Sequence, residues 1–223
     1  MNVAARLLVG TRWAGAGLRR VYFSQPASPW VPAAVYGPVA VGGVLLNLVG
    51  DRPPAWEWAV LPAAGVLFWT LLEYVLHSRG FHGRTRSARL GVVQVSHRAH
   101  HDDPKDPAKI VTRLAFSAPI AVGVFLLALV VLRGVKPAAL LVAGAAVGYL
   151  AYEVIHYWIH VGRRTRWLLR PLVKHHLYHH YKDDTRCYGV TTPLWDWVFR
   201  TNRPAVARRP ETDAGDPVGA SVP

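Results

Sequence analysis

Two stretches of this chain carry no charged residue: Trp30 to Gly50, over 21 positions, and Leu114 to Leu132, over 19. A helix needs about 20 apolar residues to cross the hydrocarbon of a bilayer, so both stretches read as membrane spans. Two further segments, about 55 to 77 and about 137 to 160, are apolar for most of their length and admit Glu57, Glu73 and Glu153 near their ends. With 52% hydrophobic and 17% charged residues, the chain is too apolar for an average soluble domain. The expectation is an all-α integral membrane fold with about four transmembrane helices, at about 30–50, 55–77, 114–132 and 137–160.

Lysine and arginine are distributed unevenly between the connections. The arm to residue 29 holds four, the connection from 79 to 113 holds eight and the part from residue 161 onward holds eleven, whereas the other two connections hold only Arg52, Arg133 and Lys136. The positive-inside rule places both termini and the 79–113 connection in the cytoplasm. The net charge of +13 then reflects topology and contact with anionic headgroups. Nucleic-acid binding is set aside, because the basic residues follow the membrane ends. Trp30, Trp56, Trp58, Trp158 and Trp167 lie near the expected helix ends, where indole rings favour the interface. The arm 1–29, with Arg6, Arg12, Arg19 and Arg20, reads as an interfacial segment, and its apolar run is too short for a signal peptide. The tail 202–223 has no periodic apolar residues and reads as disordered. A single cysteine, Cys187, excludes an intramolecular disulfide and any CxxC metal site.

All eleven histidines fall into four clusters: His77/His82, His97/His100/His101, His156/His160 and His175/His176/His179/His180. Each cluster lies at or beyond a span end that the charge count puts on the cytoplasmic side, so a histidine-rich helical cap (78–113 and 161–201) can gather them. Residues three and four apart share a helix face. His97 with His100 and His101, His156 with His160, and His176 with His179 and His180 therefore present their rings together. His77 and His82, five apart, are about 140° out of line on a regular helix, so this pair requires a helix that ends or bends, with Gly80 offering the place. His175 falls outside the spacing and is kept as an outer or spare residue.

Ten ligand-spaced imidazoles are too many for one ion, since a closed zinc site takes four ligands and an open catalytic site three. The natural reading is a dinuclear metal site with about five candidates for each ion, and an all-nitrogen set suits iron, zinc or copper. Glu73, Asp102, Asp103, Glu153, Asp183 and Asp184 lie close in sequence to the histidines and are candidates to accept the second ring proton of a ligating imidazole. Loop solvation and helix capping are the alternative for the four aspartates. Glu73 and Glu153 lie close to membrane depth, where an unpaired carboxylate is costly.

The runs LEYVLHSRGFH, SHRAHH, YEVIHYWIH, HHLYHHY and GVTTPLWDWVFRT resemble the fatty acid hydroxylase superfamily, most of all its fatty acid 2-hydroxylase branch, over about residues 55 to 201. The resemblance implies a cap over four membrane helices and a centre of two iron ions that uses dioxygen to hydroxylate a C–H bond of a lipid or fatty acyl chain. By motif position, the implied ligands are His77, His82, His97, His100, His101, His156, His160, His176, His179 and His180. Isolated material can carry zinc instead, since imidazole accepts it readily.

Many relatives in that branch carry a fused cytochrome b5 domain, whereas here about 29 residues precede the first span. Two electrons are therefore expected from a separate partner, a cytochrome b5-like protein or a ferredoxin with its reductase. The richness in Ala, Arg, Val and Gly suits a bacterial plasma membrane; in a eukaryote the expected membrane is the endoplasmic reticulum. Arg163, Arg164 and Arg166 could hold a headgroup or an acidic redox partner, or serve as plain membrane-surface charge. Trp195, Asp196 and Trp197 could close over the site or anchor at the interface. Desaturation of a sterol or acyl lipid and carotenoid hydroxylation use the same centre and stay open. So do two non-enzymatic readings, a metal transporter and a scaffold with structural zinc. The transporter fits less well, because it would place its histidines near mid-membrane.

Overall fold

The computed structural model describes residue 28 and residues 30–83, 88–162, 167 and 169–203. Every regular element among them is helical: α1 (Trp30–Leu46), α2 (Glu57–Val75) continuing into a π-helical turn (Leu76–Phe81), α3 (Ala88–Asp102), α4 (Pro107–Ile110), α5 (Leu114–Leu132), α6 (Val135–Val161), α7 (Arg170–Tyr181) and α8 (Leu194–Val198). Among the described residues, three helical stretches are long and apolar enough to cross a membrane: Glu57–Phe81, Pro107–Leu132 and Val135–Val161. The first uncharged run yields a shorter helix than its composition suggests. It stops at Leu46 because the fully buried Asn47 turns its side-chain amide onto the Gly43 and Lys136 carbonyls, at 2.8 and 3.0 Å, and the chain then turns through Gly50 at φ 66°. Nearly all of the expected arm 1–29 and tail 202–223, with Arg163, Arg164 and Arg166, lies outside the described residues.

The central helix is α6, with 61% of its most apolar window buried inside the protein, whereas α5 buries 11% and turns Val122, Leu126, Leu127 and Val130 outward. Lipid offers an apolar side chain about as good an environment as another helix does, so close packing inside a bilayer depends on small residues that let backbones approach. Helix α6 supplies them. Gly144 lies against the backbone of Pro62, Gly148 against the Trp69 ring, and Gly65 of α2 against the backbone of Leu141 and Ala145. Gly43 of α1 approaches the Ala139 carbonyl in the same way. Gly144→Leu is expected to force α2 and α6 apart at a cost of about 1–3 kcal/mol or more, whereas Gly123→Leu, with open space around its α carbon, is not. Size-exclusion profiles of the detergent-extracted variants after graded heating measure the difference.

The helix break required between His77 and His82 takes the form of the π turn, in which the His82 N–H donates to the His77 carbonyl five residues back, at 3.2 Å. The wider turn brings residues five apart onto one side. Gly80 has room for a side chain; Gly83 has none, since a β carbon there would meet the Arg79 carbonyl. The Gln94 side-chain amide of α3 donates to the Gly80 carbonyl at 3.1 Å and also to that of Gly83, so α3 holds the turn open. The turn, α3, α4, α7 and α8 thus collect at the end of the bundle where α2 and α6 finish.

Candidate metal centre

At that end the structure gathers ten imidazoles into two groups of five. One comprises His77, His82, His97, His101 and His179, the other His100, His156, His160, His176 and His180, and within each group the ring nitrogens lie within 4.8 Å of one another. Each HxxHH box is divided between them. Along a helix, i and i+4 differ by about 40° whereas i+3 lies about 100° from i+4. His97 and His101 therefore stay together while His100 faces the other group, and His176 and His180 stay together while His179 crosses over. The His101 and His180 rings stack at a centroid separation of 4.1 Å and join the two groups.

The nitrogens converge in a manner that hydrogen bonding does not explain. His97 Nε2 lies 3.1 Å from His77 Nε2, 2.9 Å from His82 Nε2 and 3.1 Å from His101 Nε2. In the second group, His176 Nε2 lies 3.0 Å from both His160 Nε2 and His180 Nε2. One ring nitrogen cannot satisfy three others with a single proton. Two nitrogens each about 2.1 Å from an ion and at right angles to one another are about 3.0 Å apart, which is the spacing seen. Both ring nitrogens of His100 and of His156, and Nε2 of His179, are buried without a protein hydrogen-bond partner among the described residues. Nitrogens so placed fit a pair of metal ions.

The protonation state fits as well, since a ligating imidazole must be neutral on its metal-facing nitrogen. Burial, and after it the neighbouring imidazoles, push His97 and His176 well below the ordinary histidine range, His100 to about 2, His179 to about 3 and His82 to about 4. Burial lowers His101 and His180 too.

The outer partners of the rings differ from those the sequence suggested. Glu73 accepts from the backbone N–H of Val190 and Thr191, at 2.5 and 3.0 Å, and from the Thr191 hydroxyl at 2.5 Å. Glu153 accepts from the Thr112 N–H at 3.2 Å. Among the described residues each carboxylate satisfies the donors of an irregular segment packed against a span, where an unpaired N–H would be costly. Asp103 pairs with Lys109 at 3.0 Å, and Asp183 with the Thr185 N–H at 2.9 Å and with Arg186 at 3.3 Å, as loop and cap residues do. Asp184 comes within 3.9 Å of His82 Nδ1, and Asp102 acts on His101 through its charge alone. Backbone carbonyls take the role expected of the acids: His77 Nδ1–H donates to Tyr188 O at 2.5 Å and His179 Nδ1–H to Arg186 O at 2.7 Å. His175, in neither group, bonds Asp196 at 3.0 Å. Asp196 is fully buried rather than part of a cover, and Trp195 donates to Thr70 at 2.9 Å. An acid between two tryptophans in an otherwise uncharged run was the one sequence sign of this role.

An apolar, partly open cavity, with about 760 Å³ of empty space that includes open solvent, lies between α1, α2, α5 and α6. Val39, Trp69, Ile120, Val124, Val142 and Ala145 line its deeper part, and His77, Phe81 and Tyr152 close its upper end. A second, more open cleft of about 370 Å³ is lined by His97, His100 and His156 and shares Phe81, Thr112, Phe116 and Tyr152 with the first. The two together run from the bundle interior to residues of both histidine groups, His77 and His97 of the first and His100 and His156 of the second.

Comparison with known proteins finds relatives of the chain. The pattern of the fatty acid hydroxylase family matches residues 62–201. The chain is 37% identical over 186 residues to a dihydroceramide fatty acyl 2-hydroxylase of Arabidopsis thaliana, covering 82% of this chain and 74% of the relative. It is 31% identical over 201 residues to the human fatty acid 2-hydroxylase, covering 83% of this chain and 54% of that protein. Among solved structures it is similar to full-length scs7p, of which only the hydroxylase domain is visible, with a TM-score of 0.71, 29% identity and coverage of 79% of this chain and 67% of the other.

Proposed function

The chain belongs to the fatty acid hydroxylase family and is an oxygen-dependent oxidoreductase of membrane lipids, and we propose that it hydroxylates carbon 2 of a lipid fatty acyl chain, with dioxygen and two electrons from a separate donor. The observation that carries this reading is the apolar cavity that ends at His77 and, through Phe81, Phe116 and Tyr152, adjoins a cleft lined by His97, His100 and His156, members of both five-histidine groups. The choice of carbon 2 rests on the names of the relatives, fatty acid or fatty acyl 2-hydroxylases from plant and human.

In this reading two iron ions, one held by His77, His82, His97, His101 and His179 and the other by His100, His156, His160, His176 and His180, supply the oxygen activation that side chains cannot. Zinc can replace iron in isolated material. The protein supplies the rest. Trp69, Ile120, Val124 and Val142 bind the hydrocarbon beyond the reacting carbon and exclude water from it. Phe81, Phe116 and Tyr152, which line both clefts, direct the near end of the chain toward the histidines. Helix α1 completes the cavity wall through Tyr36 and Val39 and serves as a fourth span. Both termini and the histidine end face the cytoplasm, and the basic surface there receives a cytochrome b5-like protein or a ferredoxin.

Lipids from cells expressing the chain under labelled dioxygen are expected to contain an acyl species that gains one labelled oxygen, with fragmentation placing it on carbon 2. A lipid that has instead lost two hydrogens identifies a desaturase. An unchanged lipid pool in cells supplied with an electron donor rejects the proposal.

A further inference from the structure

The two histidine groups are supported differently. In the first, His77 and His179 each donate Nδ1–H to a carbonyl of one short segment, Tyr188 O and Arg186 O. In the second, Nδ1 of His100, His156, His176 and His180 has no hydrogen-bond partner among the described residues. The segment 186–191 is itself irregular backbone, with Cys187 at φ 60°, and no helix or sheet ladder fixes its carbonyls in place. Two buried carboxylates do so. Glu73 of α2 takes three donors from Val190 and Thr191. Asp196 takes the N–H groups of Tyr188 and Gly189 at 2.9 and 2.8 Å, the Thr201 hydroxyl at 2.7 Å and His175 Nε2–H at 3.0 Å. His175 thereby ties the segment to α7, which carries His179 of the first group as well as His176 and His180 of the second, whereas the carbonyl bonds from the segment reach only His77 and His179.

We propose that Asp196 and Glu73 are positioning residues for the first ion site: through the 186–191 segment they fix the tautomer and ring orientation of His77 and His179, a support that Nδ1 of His100, His156, His176 and His180 does not share. This rests on the two-ion reading above. Partners that orient a metal-ligating histidine are worth about 10–100-fold in metal affinity, so disturbing the segment should weaken one ion and spare the other. In Asp196→Asn the side chain keeps its size, but its amide turns a donor toward N–H groups that now lack an acceptor. In Glu73→Gln the remaining oxygen still accepts from Val190 and Thr191, whereas Glu73→Leu removes every acceptor.

The test is equilibrium dialysis of the metal-free, detergent-solubilised protein against Co²⁺, followed by metal analysis. Histidine protection from diethyl pyrocarbonate shows which group is filled. Wild type and Glu73→Gln should take up two ions per chain. Asp196→Asn and Glu73→Leu should hold one with wild-type affinity and the other about 10–100-fold more weakly, with protection lost at His82 and His101 and kept at His180. If Asp196→Asn does not fold, the Glu73 pair decides. Two ions at wild-type affinity in the folded Asp196→Asn and Glu73→Leu variants, or parallel loss of both ions, overturns the inference and leaves the two-ion reading standing. Wild-type protein that takes up fewer than two ions overturns that reading itself.

Discussion

Alanine at His100, at His156 or at His179 is expected to reduce lipid hydroxylation to background while the protein still inserts into the membrane. His100 and His156 belong to one group and His179 to the other. His156 lies on α6, whose glycines pack it against α2, His100 on α3, anchored by Val92 and Val93 against Phe81 and Phe116, and His179 on α7, whose His175 bonds Asp196. Losing one imidazole removes one of five nitrogens from its group and, at His179, also the bond to the Arg186 carbonyl. Each variant is therefore expected to lose one metal ion per chain, the partner of the missing ring, while both ions are needed for turnover. Product formation by lipid mass spectrometry, metal content and membrane fractionation are read on the same preparations. Full activity in all three variants removes the metal-centre reading.

Filling the cavity should give a large effect of another kind. Ala121 of α5 lines the apolar space, and Ala121→Phe places a ring where hydrocarbon is expected to lie. Each buried methylene is worth about 0.8 kcal/mol, so displacing three costs about 2.4 kcal/mol, or roughly 60-fold in kcat/KM. The loss should fall on long acyl chains and spare those too short to reach Ala121, with metal content unchanged, because no histidine is touched. Turnover measured across a series of chain lengths checks this. An equal loss at every length would show that the acyl chain lies elsewhere.

The two predictions draw on features that the sequence reveals to different degrees. The membrane helices were legible because the absence of charge over about 20 residues has few other meanings. The first run ended early because Asn47, a residue that hydropathy barely registers, caps α1 through hydrogen bonds to Gly43 and to Lys136, 89 positions away. The histidines were legible because their spacing follows helical periodicity and the clusters lie at or beyond the ends of the apolar helices. That spacing also required a break between His77 and His82. Its form as a π turn, held by Gln94 and closed by Gly83 rather than Gly80, depends on contacts with α3 that no local pattern contains. Nearness in sequence likewise pointed to Glu73 and Glu153 as partners of the rings, yet both serve backbone donors from distant segments.

The sequence alone thus determined that this is a helical membrane protein with ten metal-ligand-spaced imidazoles at one end of its bundle, because hydrophobic length and helical periodicity are local properties of the chain. Helical periodicity splits each HxxHH box, but tertiary structure decided which rings of different helices combine into each group of five, that among the described residues the Arg186 and Tyr188 carbonyls support only one of the groups, and that Asp196 is buried at the centre of that support. Those outcomes depend on the angles at which α3, α6 and α7 meet and on hydrogen bonds across more than a hundred residues, which periodicity along one helix cannot encode.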